Sequence, residues 1–285
     1  MGGLSNKNYV AHNTEAVFVV RVGRDIPVHG IQQTCVQTAM QAATEIGVTP
    51  ALRYAHGNIT VSDHFDGRAV CPADLKDKRV ITGIVRRVRE LHAGGNHVRA
   101  MLPFFWPFQV VRNYARYCFE SGHSLRPDCD ALAEHATTLE RLVAPFMPVL
   151  THNDLVPQNM MVDAAGEVLL VDWDYGAYGH PLFDLAAVAA NTDNDDQLDA
   201  QLLELYAGTP SNELWQQFRI FKLIVNLREL LWGAVQELTS DLDREIVQAG
   251  MARIYPDQEQ GYGGYLEMNR TRFSRNLAQF KSLYG

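Results

Sequence analysis

Between residues 150 and 184 the chain reads LTHNDLVPQNMMVDAAGEVLLVDWDYGAYGHPLFD, the stretch that most restricts its fold. Two apolar runs of strand length, NMMVD and EVLLVD, flank Ala164, Ala165 and Gly166. That is turn composition between strands, so the chain doubles back here. His152, Asp154 and Asn159 precede the hairpin on a loop containing Pro157, whereas Asp172 and Asp174 follow it. Folding back brings Asp172 beside Asn159. Their carboxylate and amide oxygens are hard ligands, better suited to Mg²⁺ than to Zn²⁺. Asp154 then offers a carboxylate to take a proton from a hydroxyl. A metal for the phosphates, a base for the acceptor and a cation for the leaving group are what phosphoryl transfer needs.

The rest of the chain divides in two. Residues 15–22 (EAVFVVRV) form a β-branched run, and residues 52–56 and 59–65 read as strands joined at Gly57-Asn58. Residues 32–46 suit a helix closed by Gly47. Helical periodicity then takes over: residues 75–93 place Val80, Ile84, Val85, Val88 and Leu91 near one face, and Gly94-Gly95 ends that helix. Residues 114–120, 131–142 and most of the chain beyond Pro181, notably 214–238, follow the same period. The expectation is an α+β bilobal fold, with a small β-rich lobe over residues 1–66 and a larger helical lobe over 67–285.

Composition limits the alternatives. With 25 Lys+Arg against 33 Asp+Glu the net charge is -8, which argues against binding nucleic acid backbones. Four scattered cysteines, without CxxC or zinc spacing, read as reduced thiols. No apolar run approaches the roughly 20 residues that a bilayer requires. The reading is a cytoplasmic protein without membrane or nucleic acid partners; its oligomeric state is left open.

The spacing H-x-D-x-x-x-x-N from His152 to Asn159 resembles the protein-kinase catalytic loop, with Asp172 where that superfamily places its metal-binding aspartate. Residues 2–9 (GGLSNKNY) resemble the nucleotide loop of choline/ethanolamine kinases, which belong to the aminoglycoside phosphotransferase superfamily. VDWDY at 171–175, PLFDLA at 181–186 and WGAVQ at 232–236 are similar to later motifs of that family. The resemblance implies a protein kinase-like fold and transfer of the γ-phosphoryl group of ATP, with Mg²⁺, to a small-molecule alcohol. Cationic or amine-bearing acceptors such as choline or ethanolamine are implied. Gly2, Gly3, Ser5 and Asn6 would cover the phosphates, Arg21 would supply the strand cation, and the hinge from Asp63 to Phe65 would meet the adenine. Asp154 and His152 would be catalytic, with Asn159 and Asp172 on the metal. A choline headgroup needs aromatic walls and anions. Tyr175, Tyr178 and Trp232 are candidate walls, and Asp174 and Glu229 candidate anions.

Four departures qualify the resemblance. The family has a strand ahead of the glycine pair, where this sequence starts, so the expectation is a truncated start or a small sheet short of one edge. Kinase-like lobes pair the strand cation with a helix glutamate, but the helix here offers Gln33 and Gln37. Asn191 and Glu229 replace, respectively, a glutamate and a tryptophan of eukaryotic choline kinases. These differences keep two alternatives in view, an antibiotic phosphotransferase and a nucleotide-binding protein with little turnover. A metal-dependent hydrolase is the poorer reading, because His180 is the only further histidine near the segment.

Overall fold

The structure is a computed structural model that describes residues 7–95, 101–190, 196–242, 244–254 and 261–285. In chain order its strands and helices are β1 (Lys7–His12), β2 (Val17–Val22), α1 (Gln33–Ile46), β3 (Leu52–His56), β4 (Ile59–Asp63), β5 (Arg68–Ala69), α2 (Lys78–Gly94), α3 (Pro107–Glu120) and α4 (Cys129–Glu140). There follow β6 (Val149–Thr151), β7 (Met160–Val162), β8 (Val168–Leu170), β9 (Ala177–Gly179), α5 (Pro181–Ala190), α6 (Asp196–Ala207), α7 (Asn212–Thr239), α8 (Arg244–Ile254) and α9 (Tyr262–Tyr284). They form two compact units. The first comprises Met1–Phe105, Met147–Val188 and Asp196–Gly208; the second comprises Trp106–Phe146, Ala189–Asp195 and Thr209–Gly285. The expected lobe boundary at residue 66 falls inside the first unit.

In the first unit an antiparallel sheet has the order β1-β2-β4-β3. The β3–β4 turn falls at Gly57-Asn58 as expected, with Gly57 at φ 62°, a conformation glycine adopts without steric cost. Strand β1 was not legible: Lys7 to His12 lacks a β-branched run, and it forms by pairing with β2 from Lys7↔Val22 to His12↔Val17. On α2 the expected face is buried, with Val80, Ile84, Val85, Val88 and Leu91 each 6% exposed or less. Each such side chain stabilises the fold by about 1.5–3 kcal/mol relative to exposure. The helix starts later than its periodicity suggests, after a 3₁₀ turn at Pro72–Lys76, because the Asp77 carboxylate accepts from the Arg79 N–H (2.8 Å) and caps it.

The catalytic-type segment folds into two small sheets, β5-β7-β8 and β6-β9. The expected hairpin is β7–β8, in register Met160↔Leu170 to Val162↔Val168. Asp163 Oδ1 closes its turn by accepting from the N–H groups of Ala165 (2.9 Å) and Glu167 (2.8 Å), with Gly166 at φ 87°. A backbone bond from Leu170 to Val48 (2.8 Å) ties β8 to the loop after α1.

The second unit is built on α7, which packs against α9 and α3. From Phe218 to Val235 it is buried almost all round, which is why it has no polar face. Ser211 caps its start by accepting from the Leu214 N–H (3.1 Å). The four cysteines are free; burial pushes the Cys118 thiol up to about 12. No helix among the described residues is long and apolar enough to cross a membrane.

Candidate functional site

The site grows from the two ends of the β7–β8 hairpin, inside the first unit. After β6 the backbone turns through His152 and Asn153, both fully buried. Their N–H groups donate to the two oxygens of one carboxylate, Asp184 on α5, at 2.9 and 2.8 Å. Asp184 is itself fully buried, and its Oδ2 also meets His92 Nε2 from α2 (3.1 Å). A carboxylate can only accept, so Nε2 donates to it, and Nδ1 lies 2.8 Å from the Tyr206 hydroxyl. Burial first, then the charge of Asp184, pushes the Tyr206 phenol up to about 12 against the opposing effect of Arg89, so it keeps its proton.

His152 orders the loop. Its Nε2 lies 3.0 Å from the Val171 carbonyl and its ring packs on Trp173, centroids 4.6 Å apart. Trp173 in turn donates to Thr49 Oγ1 (3.1 Å). Asn153, at φ 63°, donates from Nδ2 to the Tyr175 carbonyl (2.9 Å). These two side chains lace the loop before the hairpin to the segment after it.

Asp154 stands half-buried at the loop's outer turn. Asn159, only 6% exposed, donates from Nδ2 to the Asp154 carbonyl and to Asp154 Oδ2, both at 2.9 Å. The Val171 N–H donates to the Asn159 carbonyl (2.9 Å), which sets Asn159 beside the strand that leads to Asp172. Asp172 adopts φ 68° and keeps its side chain 36% exposed. Its Oδ1 is buried without a hydrogen-bond partner and lies 3.1 Å from Arg21 Nη2, a contact that brings the charges together without hydrogen-bond geometry. The same Nη2 donates to Asp174 Oδ1. Burial disfavours the Arg21 charge, but Asp172 and Asp174 outweigh it and raise the pKa above the ordinary arginine value.

The donor set fits Mg²⁺. Asn159 points its amide nitrogen at Asp154, which leaves its oxygen as a ligand, and Asp172 Oδ1 is a buried acceptor that no donor hydrogen-bonds. Among the described residues no three His, Cys, Asp or Glu side chains form a metal cage. Two oxygen donors nevertheless suffice for an ion that keeps waters and takes its other ligands from phosphates.

The profile of the phosphotransferase enzyme family matches residues 2–221. The chain belongs to that family. As a phosphotransferase of this kind it is a small-molecule kinase. It is 29% identical over 246 residues to protein LicA of Haemophilus influenzae, covering 82% of this chain and 91% of that one. Among solved structures it is similar to the choline kinase LicA from Streptococcus pneumoniae (TM-score 0.73, 20% identity, 99% of this chain and 92% of that one). A choline/ethanolamine kinase family protein from Mesorhizobium loti also gives a TM-score of 0.73, at 20% identity over 98% of this chain and 86% of that one. Such likenesses establish the kinase-like fold expected from the sequence.

In this phosphotransferase the remaining expected residues are dispersed. Gly2, Gly3, Ser5, Asn6 and Asn191 lie outside the described residues. At the hinge, the N–H groups of Asp63 and His64 donate to Ala51 and Val17 carbonyls (3.0 Å each), and the Phe65 carbonyl accepts from Gly67 (2.9 Å). The Asp63 carboxylate binds Arg53 (2.7 and 2.6 Å), whose hydrogen bonds lower its pKa. Tyr175 is buried and meets Phe105 edge-on; Tyr178 pairs with Leu150 in the β6–β9 ladder. Glu229 and Trp232 belong to α7 in the second unit. Glu229 is 4% exposed and bound by Arg228 and Tyr265, and Trp232 meets the rings of Tyr262 and Tyr265 edge-on. Sequence reasoning singled out Asp184 within PLFDLA without giving it a role, and it passed over Asn153. A lone aspartate inside the apolar stretch PLFDLAAVAA was the signal for a buried, partnered role.

Proposed function

We propose that the chain transfers the γ-phosphoryl group of Mg-ATP to the hydroxyl of choline, ethanolamine or a related amino alcohol. The observation that carries this reading is the union of Asp154 with Asn159 (2.9 Å), beside a strand that presents Asp172 to Arg21 (3.1 Å). The names of the LicA and choline/ethanolamine kinase relatives support the acceptor class.

In this scheme Asp154, held through Oδ2, accepts the proton of the acceptor hydroxyl as its oxygen attacks the γ-phosphorus and the bond to the bridging oxygen of ADP breaks. Arg21 brings positive charge to the nucleotide phosphates. Asn159 and Asp172 would hold Mg²⁺, which when bound offsets charge on the phosphate oxygens. His152 and Asn153 keep the loop and the metal-binding segment in register. The chemistry needs no covalent enzyme intermediate, and a cytoplasmic location, where ATP is available, suits it.

The test is ADP release from Mg-ATP with choline, ethanolamine, aminoglycosides or no acceptor. The expected result is a kcat/KM at least about tenfold higher for an amino alcohol than for any aminoglycoside. A preference for the aminoglycosides, or ADP binding with no product from any acceptor, overturns the proposal.

A further inference from the structure

Arg21 is buried in the strand sheet at 9% exposure, so something must hold its charge. Helix α1 does not. Its Gln33 donates from Nε2 to the Arg24 carbonyl (2.9 Å), Gln37 donates to the Gly57 carbonyl (2.9 Å), and Glu45 is engaged by Gln41 (3.0 Å). The guanidinium turns instead to Asp172 and Asp174, which both meet Nη2. Its Nε is buried and hydrogen-bonds to no described residue.

The two carboxylates are not equivalent. Asp172 is 36% exposed and contacts Arg21 through Oδ1, the oxygen the metal reading also requires. Asp172 would be shared between Arg21 and a bound divalent ion, which makes it the less dedicated partner of the arginine. Asp174 has a side chain only 6% exposed and is the acid that accepts a hydrogen bond from Arg21. We infer that Asp174 is the positioning residue of Arg21: it anchors the guanidinium for the nucleotide phosphates, in place of a helix glutamate, and does not recognise the acceptor. Because Asp174 lies two residues beyond Asp172, the phosphate-binding cation and the metal-binding carboxylate are fixed to the same short segment.

This rests on the nucleotide-site reading above and is independent of which acceptor is used. The experiment measures Mg-ADP binding by calorimetry on the full chain, with KM for ATP and for the acceptor. The variants are Asp174→Asn, Asp174→Glu, Arg21→Met and the double Arg21→Met/Asp174→Asn. Asp174→Asn is expected to weaken ADP binding and raise the ATP KM roughly tenfold, with the acceptor KM changed less than about twofold. Asp174→Glu restores most of the binding, and the double variant binds ADP no more weakly than Arg21→Met alone. A raised acceptor KM with unchanged ADP binding overturns the inference, as do additive effects in the double variant. Should Asp174→Asn fail to fold, the double variant, which removes both charges, still answers by comparison with Arg21→Met. Wild-type chain that binds no ADP defeats the functional reading itself; wild-type binding that is indifferent to Asp174→Asn defeats only this inference.

Discussion

Each unit contains a buried arginine met by acids, and the two clusters are built differently. In the second unit Arg228 Nη1 lies 2.5 Å from Glu229 Oε1, and the Tyr265 hydroxyl donates to Oε2 at 2.5 Å. Both carboxylate oxygens are taken, and the Arg228 and Glu229 side chains are 3% and 5% exposed. In the first unit Arg21 meets two acids through a single nitrogen, one of those acids is 36% exposed, and one of its oxygens lacks a hydrogen bond. A cluster whose carboxylate oxygens are all taken fixes a fold; one with a carboxylate oxygen left over is suited to receive a ligand. Glu229 therefore has little capacity left to act as the anion for a cationic acceptor.

Substitutions can break or sharpen this contrast. In the first cluster and beside it, Asp172→Ala and Asp154→Ala should each lower kcat by about 10³ while the far-ultraviolet circular dichroism and melting temperature stay near wild type. Full turnover in either variant would defeat the site assignment. In the second cluster Glu229→Gln removes the negative charge beside the buried Arg228, at an expected cost to stability of about 3 kcal/mol in urea titration. A variant as stable as wild type with a raised acceptor KM would instead make Glu229 a substrate group. Tyr265→Phe removes a hydrogen bond to a charged oxygen and should cost about 2 kcal/mol by the same measurement.

Acid acts through a different group. Burial, with a smaller contribution from His92, pushes His180 from 6.5 down to about 3. Below pH 6.5 the unfolded chain takes up a proton that the folded chain refuses. The stabilising effect is complete above pH 6.5 and is lost as pH falls towards 3, at about 1.4 kcal/mol per pH unit. His180 Nδ1 accepts from the Leu182 N–H (3.1 Å), an interaction that asparagine can imitate. Urea titrations of His180→Asn between pH 4 and 7 should show a shallower slope than wild type. An unchanged slope would place the acid sensitivity elsewhere.

The β7–β8 hairpin was legible because its information is local: Asp163, the Ala164-Ala165-Gly166 turn and two short apolar runs suffice. The long α7 was legible because its apolar content continues over many turns without a proline. Strand β1 was not, since its pairing with β2, and not its own composition, makes it a strand. At the site, Asp154, Asn159 and Asp172 could be read from spacing because one hairpin joins them. The hydrogen bond from Arg21 to Asp174 spans 153 positions and those from His152 and Asn153 to Asp184 span 32 and 31. Such contacts depend on how whole elements pack, which residue spacing does not encode.

Asn153 and Asp172, one on either side of the hairpin, are the described non-glycine residues with positive φ, at 63° and 68°. A left-handed backbone at such residues costs on the order of 1 kcal/mol each. At Asn153 glycine would remove that cost together with the hydrogen bond to the Tyr175 carbonyl, and at Asp172 it would remove it together with the carboxylate. Durability and turnover pull against each other at that position, so a hardier form of this enzyme has to gain its robustness elsewhere in the chain.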